Sequence, residues 1–359
     1  MHRGGVLPRP TVAYETWGEL NSNKDNAVLI FTGLSPSAHA ASSEVDPAPG
    51  WWEEIVGPLR SIDTRKYFVI CVNSLGSCYG STGPASRNPS SGEIYRLNFP
   101  VLSLDDVAGA GKAVIDHLGI DSLYALVGPS MGGMSALSFA VQFPGTSRGL
   151  VLISTATRSS PYAIALRSLQ RELIRSDPEW KEGQYATGAG PVHGMRLARK
   201  LGMITHRSGK EWEQRFGRER IAGERNAGDP FAADFEVEAY LEHHAQKFTG
   251  EFDANCYLYL SRASDLFDVA EYGGTVHAAL EKVTADRILV IGVKSDFLFN
   301  IDQQRELAAE FEAAGKLVSL VELDSIQGHD SFLVDMDRFR PVIEHFFAGD
   351  WAALSASRS

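Results

Sequence analysis

Five consecutive residues, Gly128-Pro129-Ser130-Met131-Gly132, offer the clearest opening for chemistry in this chain. A serine held between two glycines suits nucleophilic attack when a strand runs into it and a helix leaves it. Residues 123–127 are a short apolar run with strand character, and residues 131–143 are small and apolar, stopped by Pro144. The glycines remove Cβ atoms that would clash in a sharp turn, so the serine can be held in a strained conformation. In a chain with 34 glycines the pentapeptide alone could arise by chance. The strand–turn–helix setting selects the catalytic reading.

A serine hydroxyl reacts poorly at neutral pH without a base to take its proton and an acid to orient that base. In this arrangement the partners follow in the order serine, acid, histidine, each just past the C-terminal end of a strand. Asp296 follows the apolar run 287–293, and His329 lies in the loop after the run 317–323. Of the ten histidines, His277 and His345 fall near or inside helical stretches, and His243 and His244 sit in a charged middle region. Among rival acids, Asp302 is better used as a helix N-cap, and Asp324 is too near His329 in sequence to approach it from another strand. The backbone amide of Met131 is placed to stabilise an oxyanion, with a second from Leu34, which follows the early strand 26–32. Gly33-Leu34 reads equally well as a plain turn.

These groups need a sheet behind them. Residues 67–73 form a continuous apolar strand of the kind buried on both faces, followed by a Gly/Ser/Pro-rich loop, 76–92. Ser103-Leu104-Asp105-Asp106 has a capping-box pattern, and the helix it opens ends at Gly119. With the strand 149–154 the order becomes β-α-β-α-β, which implies parallel strands with right-handed crossovers. From 156 to 276 the texture changes to Arg, Glu, His and aromatic residues, with helical stretches at 162–174, 192–205 and 236–248. The expectation is an α/β-hydrolase fold: a mostly parallel central sheet with helices on both faces, built from 1–155 and 277–359, with 156–276 inserted as a helical cap. Asp302 is expected to cap a helix ending near Gly315, 335–347 to form a closing helix, and the last ten or so residues to fray.

Bulk properties narrow the partners. A net charge of −11 without a basic block argues against nucleic acid or an anionic membrane as the main partner. No apolar run approaches the roughly 18 residues of a membrane span, and the first ten residues lack a signal-peptide core. Cys71, Cys78 and Cys256 make no disulfide framework, which points to a cytoplasmic address. His243-His244 has no partners at metal-ligand spacing, and Ser130-Met131-Gly132-Gly133 lacks the lysine of a phosphate loop, so neither a metal nor a resident cofactor is expected.

The chain resembles the homoserine/serine O-acyltransferase family of the α/β-hydrolase superfamily. The likeness runs from VAYETWG at Val12 to GHDSFLVD ending at Asp335, and includes WWEEIVGP, VNSLGSCYGSTGPASRNP, GPSMGGM, RFGRER and SDFLF. TGLSPSAHA, SLQRE, MRLARKLGMIT and NCYLYLSR resemble the branch that succinylates serine. The resemblance implies a ping-pong enzyme in which Ser130, Asp296 and His329 are nucleophile, acid and base and an acyl-CoA is a substrate. Serine O-succinyltransfer would feed cysteine synthesis. Homoserine O-acetylation or O-succinylation, feeding methionine synthesis, is the alternative, and a plain esterase or thioesterase a more distant one. It also implies that Arg171 grips the amino acid's carboxylate, that Asp330 holds its ammonium, and that the enzyme is a homodimer joined through the cap. The bland readings are a cap salt bridge for Arg171 and a surface acid for Asp330. His206 stands where relatives usually carry Tyr, at a position that the resemblance implies helps line the acceptor pocket. Leu298 stands where some homoserine-succinylating relatives carry Arg; it offers no positive charge for a succinyl carboxylate, so a succinyl group would need another partner.

Overall fold

The computed structural model describes residues 1–186, 188–222 and 229–356. Its central sheet has seven strands: β1 (Tyr14–Trp17), β2 (Ala27–Phe31), β5 (Phe68–Val72), β6 (Ala125–Pro129), β7 (Gly149–Ile153), β8 (Arg287–Val293) and β9 (Val318–Leu323). They lie side by side in the order β1-β5-β2-β6-β7-β8-β9. Only β1 is antiparallel, pairing with the outer side of β5; every other neighbour is parallel. β3 (Val56–Gly57) and β4 (Ile62–Asp63) form a small separate pair that the sequence did not suggest. The inner strands are buried on both faces, as their unbroken Val/Ile/Leu runs require.

Helices cover both faces. One side carries α1 (Leu104–His117) and α2 (Met131–Gln142), packed on Leu29, Phe31 and Ile70. The other carries α11 (Met336–Ala348), whose Phe339, Ile343 and Phe346 pack on Val28, Val127 and Val151. The Ser103 side chain accepts from the Asp106 N–H, and the Asp106 carboxylate accepts from the Ser103 N–H at 3.0 Å, so the capping box forms. α12 (Trp351–Ala356) continues the chain where fraying was expected, and it buries Leu354 against this second core. Residues 357–359 lie outside the described residues.

Between β7 and β8 the chain forms α3 (Pro161–Arg175), α4 (Val192–His206), α5 (Gly209–Phe216), α6 (Glu236–Phe248), α7 (Ala254–Leu266) and the short α8 (Val276–Leu280). α3, α4 and α6 match the helical stretches read from sequence, while α5, α7 and α8 are additional. After β8, α9 (Ile301–Ala313) is capped by Asn300, whose side chain accepts from the Gln303 N–H. Asp302, expected to be that cap, lies in the first turn and pairs instead with Arg305 at 2.9 Å. α10 (Ser331–Val334) follows the turn that carries His329. No described helix is long and apolar enough to cross a membrane.

Candidate active site

Ser130 stands at the junction of β6 and α2 with φ +56° and ψ −125°, a conformation that is strained for a non-glycine residue. The flanking glycines explain how the backbone tolerates it. A Cβ on Gly128 would lie 2.2 Å from the Gly132 carbonyl oxygen, and one on Gly132 would lie 2.2 Å from that of Phe31. Both positions are close approaches of backbone to backbone that only glycine allows.

The structure brings the three residues singled out in sequence into one hydrogen-bonded chain. Ser130 Oγ is 2.7 Å from His329 Nε2, and His329 Nδ1 is 2.7 Å from Asp296 Oδ2. Asp296 is buried, and its other oxygen, Oδ1, accepts the backbone N–H groups of Leu298 and Phe299, each at 2.9 Å. A carboxylate fixed in this way can only accept, so Nδ1 carries the imidazole proton and Nε2 is left to accept from the serine hydroxyl. Phe299 stacks on the His329 ring at 5.1 Å, with Phe332 edge-on at 5.7 Å. Burial disfavours a charged imidazole, but the carboxylates of Asp296 and Asp330 outweigh it and raise the His329 pKa above its ordinary value.

Met131 is the first residue of α2, where an amide has no acceptor within the helix. It shares with Leu34, Ser130 and His329 the wall of a cavity of about 160 Å³ beneath the inserted helices. A second, larger cavity of about 370 Å³, lined by Cys78, Tyr185, Met195 and Phe252 among others, contains none of these residues.

His206 and Asp330 also line the cavity above Ser130. His206 Nδ1 is 3.3 Å from Asp330 Oδ1, and Arg207 Nε is 3.2 Å from Asp330 Oδ2. Burial would push the Asp330 carboxyl up, but His206, Arg207 and His329 overcome this and hold it well below the usual carboxylate range. Leu298 is buried in the wall and supplies no charge.

Arg171 does not reach this cavity. Its Nη2 pairs at 2.6 Å with Asp265, whose side chain is buried, and its Nη1 donates to Ser261 at 2.8 Å. That is the bland reading of Arg171, a salt bridge within the insertion. Among the described residues, the guanidinium groups that do line the cavity are those of Arg167 and Arg199. Arg167 is one turn before Arg171 and shares its partner: Nε meets Asp265 at 2.6 Å and Nη2 donates to Ser159 at 2.6 Å. Arg199 lies over the Phe248 ring at 4.5 Å, and its Nε is buried without a hydrogen-bond partner among the described residues. A signal for it was present in the sequence: Arg199 precedes His206 by seven residues, two helical turns, and so shares its face of α4.

A hydroxyl–imidazole–carboxylate chain at the C-terminal edge of a mainly parallel sheet defines the α/β-hydrolase class. The family model for the alpha/beta hydrolase fold matches residues 26–335. The chain is 56% identical to a serine O-succinyltransferase of Litchfieldella anticariensis, over 97% of this chain and 95% of that one. Among solved structures it is similar to a homoserine O-acetyltransferase from Bacillus anthracis, with a TM-score of 0.87 and 30% identity, covering 93% of this chain and 91% of that one. It is also similar to esterase E22, with a TM-score of 0.85 and 29% identity over 94% of each chain. The chain belongs to the α/β-hydrolase-fold family of O-acyltransferases that includes the serine O-succinyltransferases.

Proposed function

We propose that this protein transfers a succinyl group from a CoA thioester to the hydroxyl of L-serine through an acyl-serine intermediate. The observation that carries this reading is the charge set around Ser130. A succinyl donor and an amino-acid acceptor each bring one free carboxylate, and among the described residues two guanidinium groups, Arg167 and Arg199, line the cavity. The acceptor also brings an ammonium, and Asp330 offers it a carboxylate. The names of the relatives agree with this charge count.

In this scheme His329 takes the Ser130 proton as Oγ attacks the thioester carbonyl. The amides of Met131 and Leu34 face the developing oxyanion; in other enzymes one such donor is worth roughly 3 kcal/mol. His329 returns the proton to the departing thiolate, CoA leaves, and a succinyl ester remains on Ser130. L-Serine then binds with its carboxylate on Arg199 and its ammonium on Asp330, while Arg167 holds the succinyl carboxylate. Its hydroxyl gives a proton to His329 and attacks the ester; His329 then reprotonates Ser130. Water competes for the same ester. Transfer prevails because a held acceptor reaches effective molarities on the order of 10⁵ M or more and the inserted helices limit water access. Acyl-CoA enters as a substrate, and no resident cofactor takes part.

Homoserine O-acetylation is the second reading, favoured by the likeness to the Bacillus anthracis structure. An esterase or thioesterase is a third, favoured by the likeness to esterase E22. One grid separates them: acetyl-CoA or succinyl-CoA, each with serine, homoserine or no acceptor, and products weighed by mass spectrometry. O-succinylserine as the main product supports the proposal. O-acetylhomoserine, or acceptor-independent CoA release of equal rate, overturns it.

We also read the protein as a cytoplasmic homodimer that supplies cysteine synthesis. Three unpaired cysteines support the reducing compartment, and the exposed Tyr162 and Leu169 on α3 support pairing through the inserted helices. Light scattering of the purified protein tests the dimer.

A further inference from the structure

The segment joining α4 to α5 is seated directly on the turn that carries His329. Gly328 has φ +69°, and a Cβ there would lie 2.7 Å from the His206 carbonyl oxygen and 2.8 Å from the Ser208 N–H nitrogen. Two backbones therefore touch at this seam. The Ser208 side chain joins them further, capping α5 through the Glu211 N–H and donating to the Ile326 carbonyl.

Arg207, between these two residues, is the largest polar bridge across the seam. One guanidinium meets three partners: Asp330 Oδ2 at 3.2 Å from Nε, Gln327 Oε1 at 2.8 Å and Glu211 Oε1 at 3.5 Å, both from Nη1. Glu211 is itself buried and is shared with Arg215 at 3.4 Å. Two of the three partners flank His329 in sequence, and the third belongs to the insertion. Arg207 does not line the cavity. It reaches the site only through Asp330, whose second oxygen faces His206.

We propose that Arg207 is a positioning residue for the second half of the reaction. It engages one oxygen of Asp330 and ties the His329 turn to the inserted helices, so that the other oxygen is presented to the acceptor's ammonium. This rests on the transfer reading above. The acylation step uses Ser130, His329, Asp296 and the two amides, none of which Arg207 touches. Its contribution falls on the choice between amino acid and water as the group that takes the acyl chain. A planar fork holds three acceptors at fixed angles in a way that a lysine cannot.

The test uses the full-length protein, with wild type, Arg207→Met and Arg207→Lys measured side by side. The readouts are the melting temperature, the rate of CoA release without acceptor, and the ratio of O-acyl amino acid to free acid as serine is varied. Loss of the charge-assisted hydrogen bond to Asp330 predicts that Arg207→Met raises the acceptor KM and lowers the transfer-to-hydrolysis ratio by about tenfold or more. CoA release without acceptor should fall far less. Arg207→Lys should recover part of the ratio, because it restores the charge without the fork. An unchanged ratio and KM in folded Arg207→Met overturns the proposal, as does an equal loss in both half-reactions. If Arg207→Met does not fold, Arg207→Lys decides: an unchanged ratio overturns the proposal, and a lowered ratio with CoA release retained supports it. Wild-type protein that acylates no amino acid in the same tubes would instead refute the transfer reading itself.

Discussion

Replacing Asp296 by Asn tests the logic of the site with almost no change in shape. Oδ1 of Asp296 accepts two backbone N–H groups, from Leu298 and Phe299, at 2.9 Å each. The amide oxygen of an asparagine would take that place, because an NH₂ there would face two donors. The NH₂ would then point at His329 Nδ1, which is 2.7 Å from the oxygen it replaces. That geometry forces Nδ1 to accept, so the imidazole proton moves to Nε2, the atom facing Ser130 Oγ. A ring protonated at Nε2 cannot take the serine proton. The same tautomer reversal in a well-studied serine protease lowers kcat by about 10⁴, equivalent to about 5.4 kcal/mol of barrier. We expect a loss of that order in Asp296→Asn, read as CoA thiol released from the acyl-CoA donor, with circular dichroism and melting temperature near wild type. Activity within tenfold of wild type in a folded variant would refute the assignment of Asp296 as the group that sets the tautomer.

His329 must be neutral to act, and its pKa is raised, so activity should be lost on acidification with a midpoint above the ordinary histidine value. Asp330→Asn removes one of the carboxylates that raises it, and the acidic limb of the pH–rate profile for CoA release should shift to lower pH. Arg199→Met should raise the serine KM by tenfold or more, because one partner of the acceptor's carboxylate is lost; Arg171→Met should instead lower thermal stability by leaving Asp265 with one cation fewer, with a smaller change in KM. Gly132→Ala places a Cβ 2.2 Å from the Phe31 carbonyl oxygen, so it should destabilise the fold by roughly 3 kcal/mol or more in urea titration, or prevent soluble expression.

Features decided by local chemistry were legible in the sequence. The capping box at Ser103, the helix Glu236–Phe248 and the serine turn between its glycines are written in contiguous residues, and the structure contains them. The pairing of Ser130 with His329 could be anticipated because each follows a strand of one parallel sheet, and such strands deliver their C-terminal ends to one edge. Side-chain choices settled by distant partners were not legible. Arg167 and Arg171 are four apart and share a face of α3, but the buried acid that engages both, Asp265, lies 98 residues beyond Arg167. Arg171, tied to Ser261 as well, stays out of the cavity, and among the described residues Arg167 and Arg199 are the guanidinium groups that line it. Asn300 and Asp302 are both good N-caps by type; which one ended the loop depended on how the chain left β8 after Asp296. The Arg207 bridge was not legible for the same reason, since its partners Gln327 and Asp330 come from the far end of the chain.

If Ser130 carries the acyl group between donor and acceptor, it must itself become succinylated during turnover. Mixing the protein with succinyl-CoA, quenching in acid within the first turnover and weighing the intact chain and its peptides tests it directly. A mass increase of one succinyl group is expected, located on the peptide containing Ser130, absent from Ser130→Ala and discharged when serine is added. Full transfer to serine by Ser130→Ala, or a succinyl adduct on another residue that discharges at the catalytic rate, would contradict it.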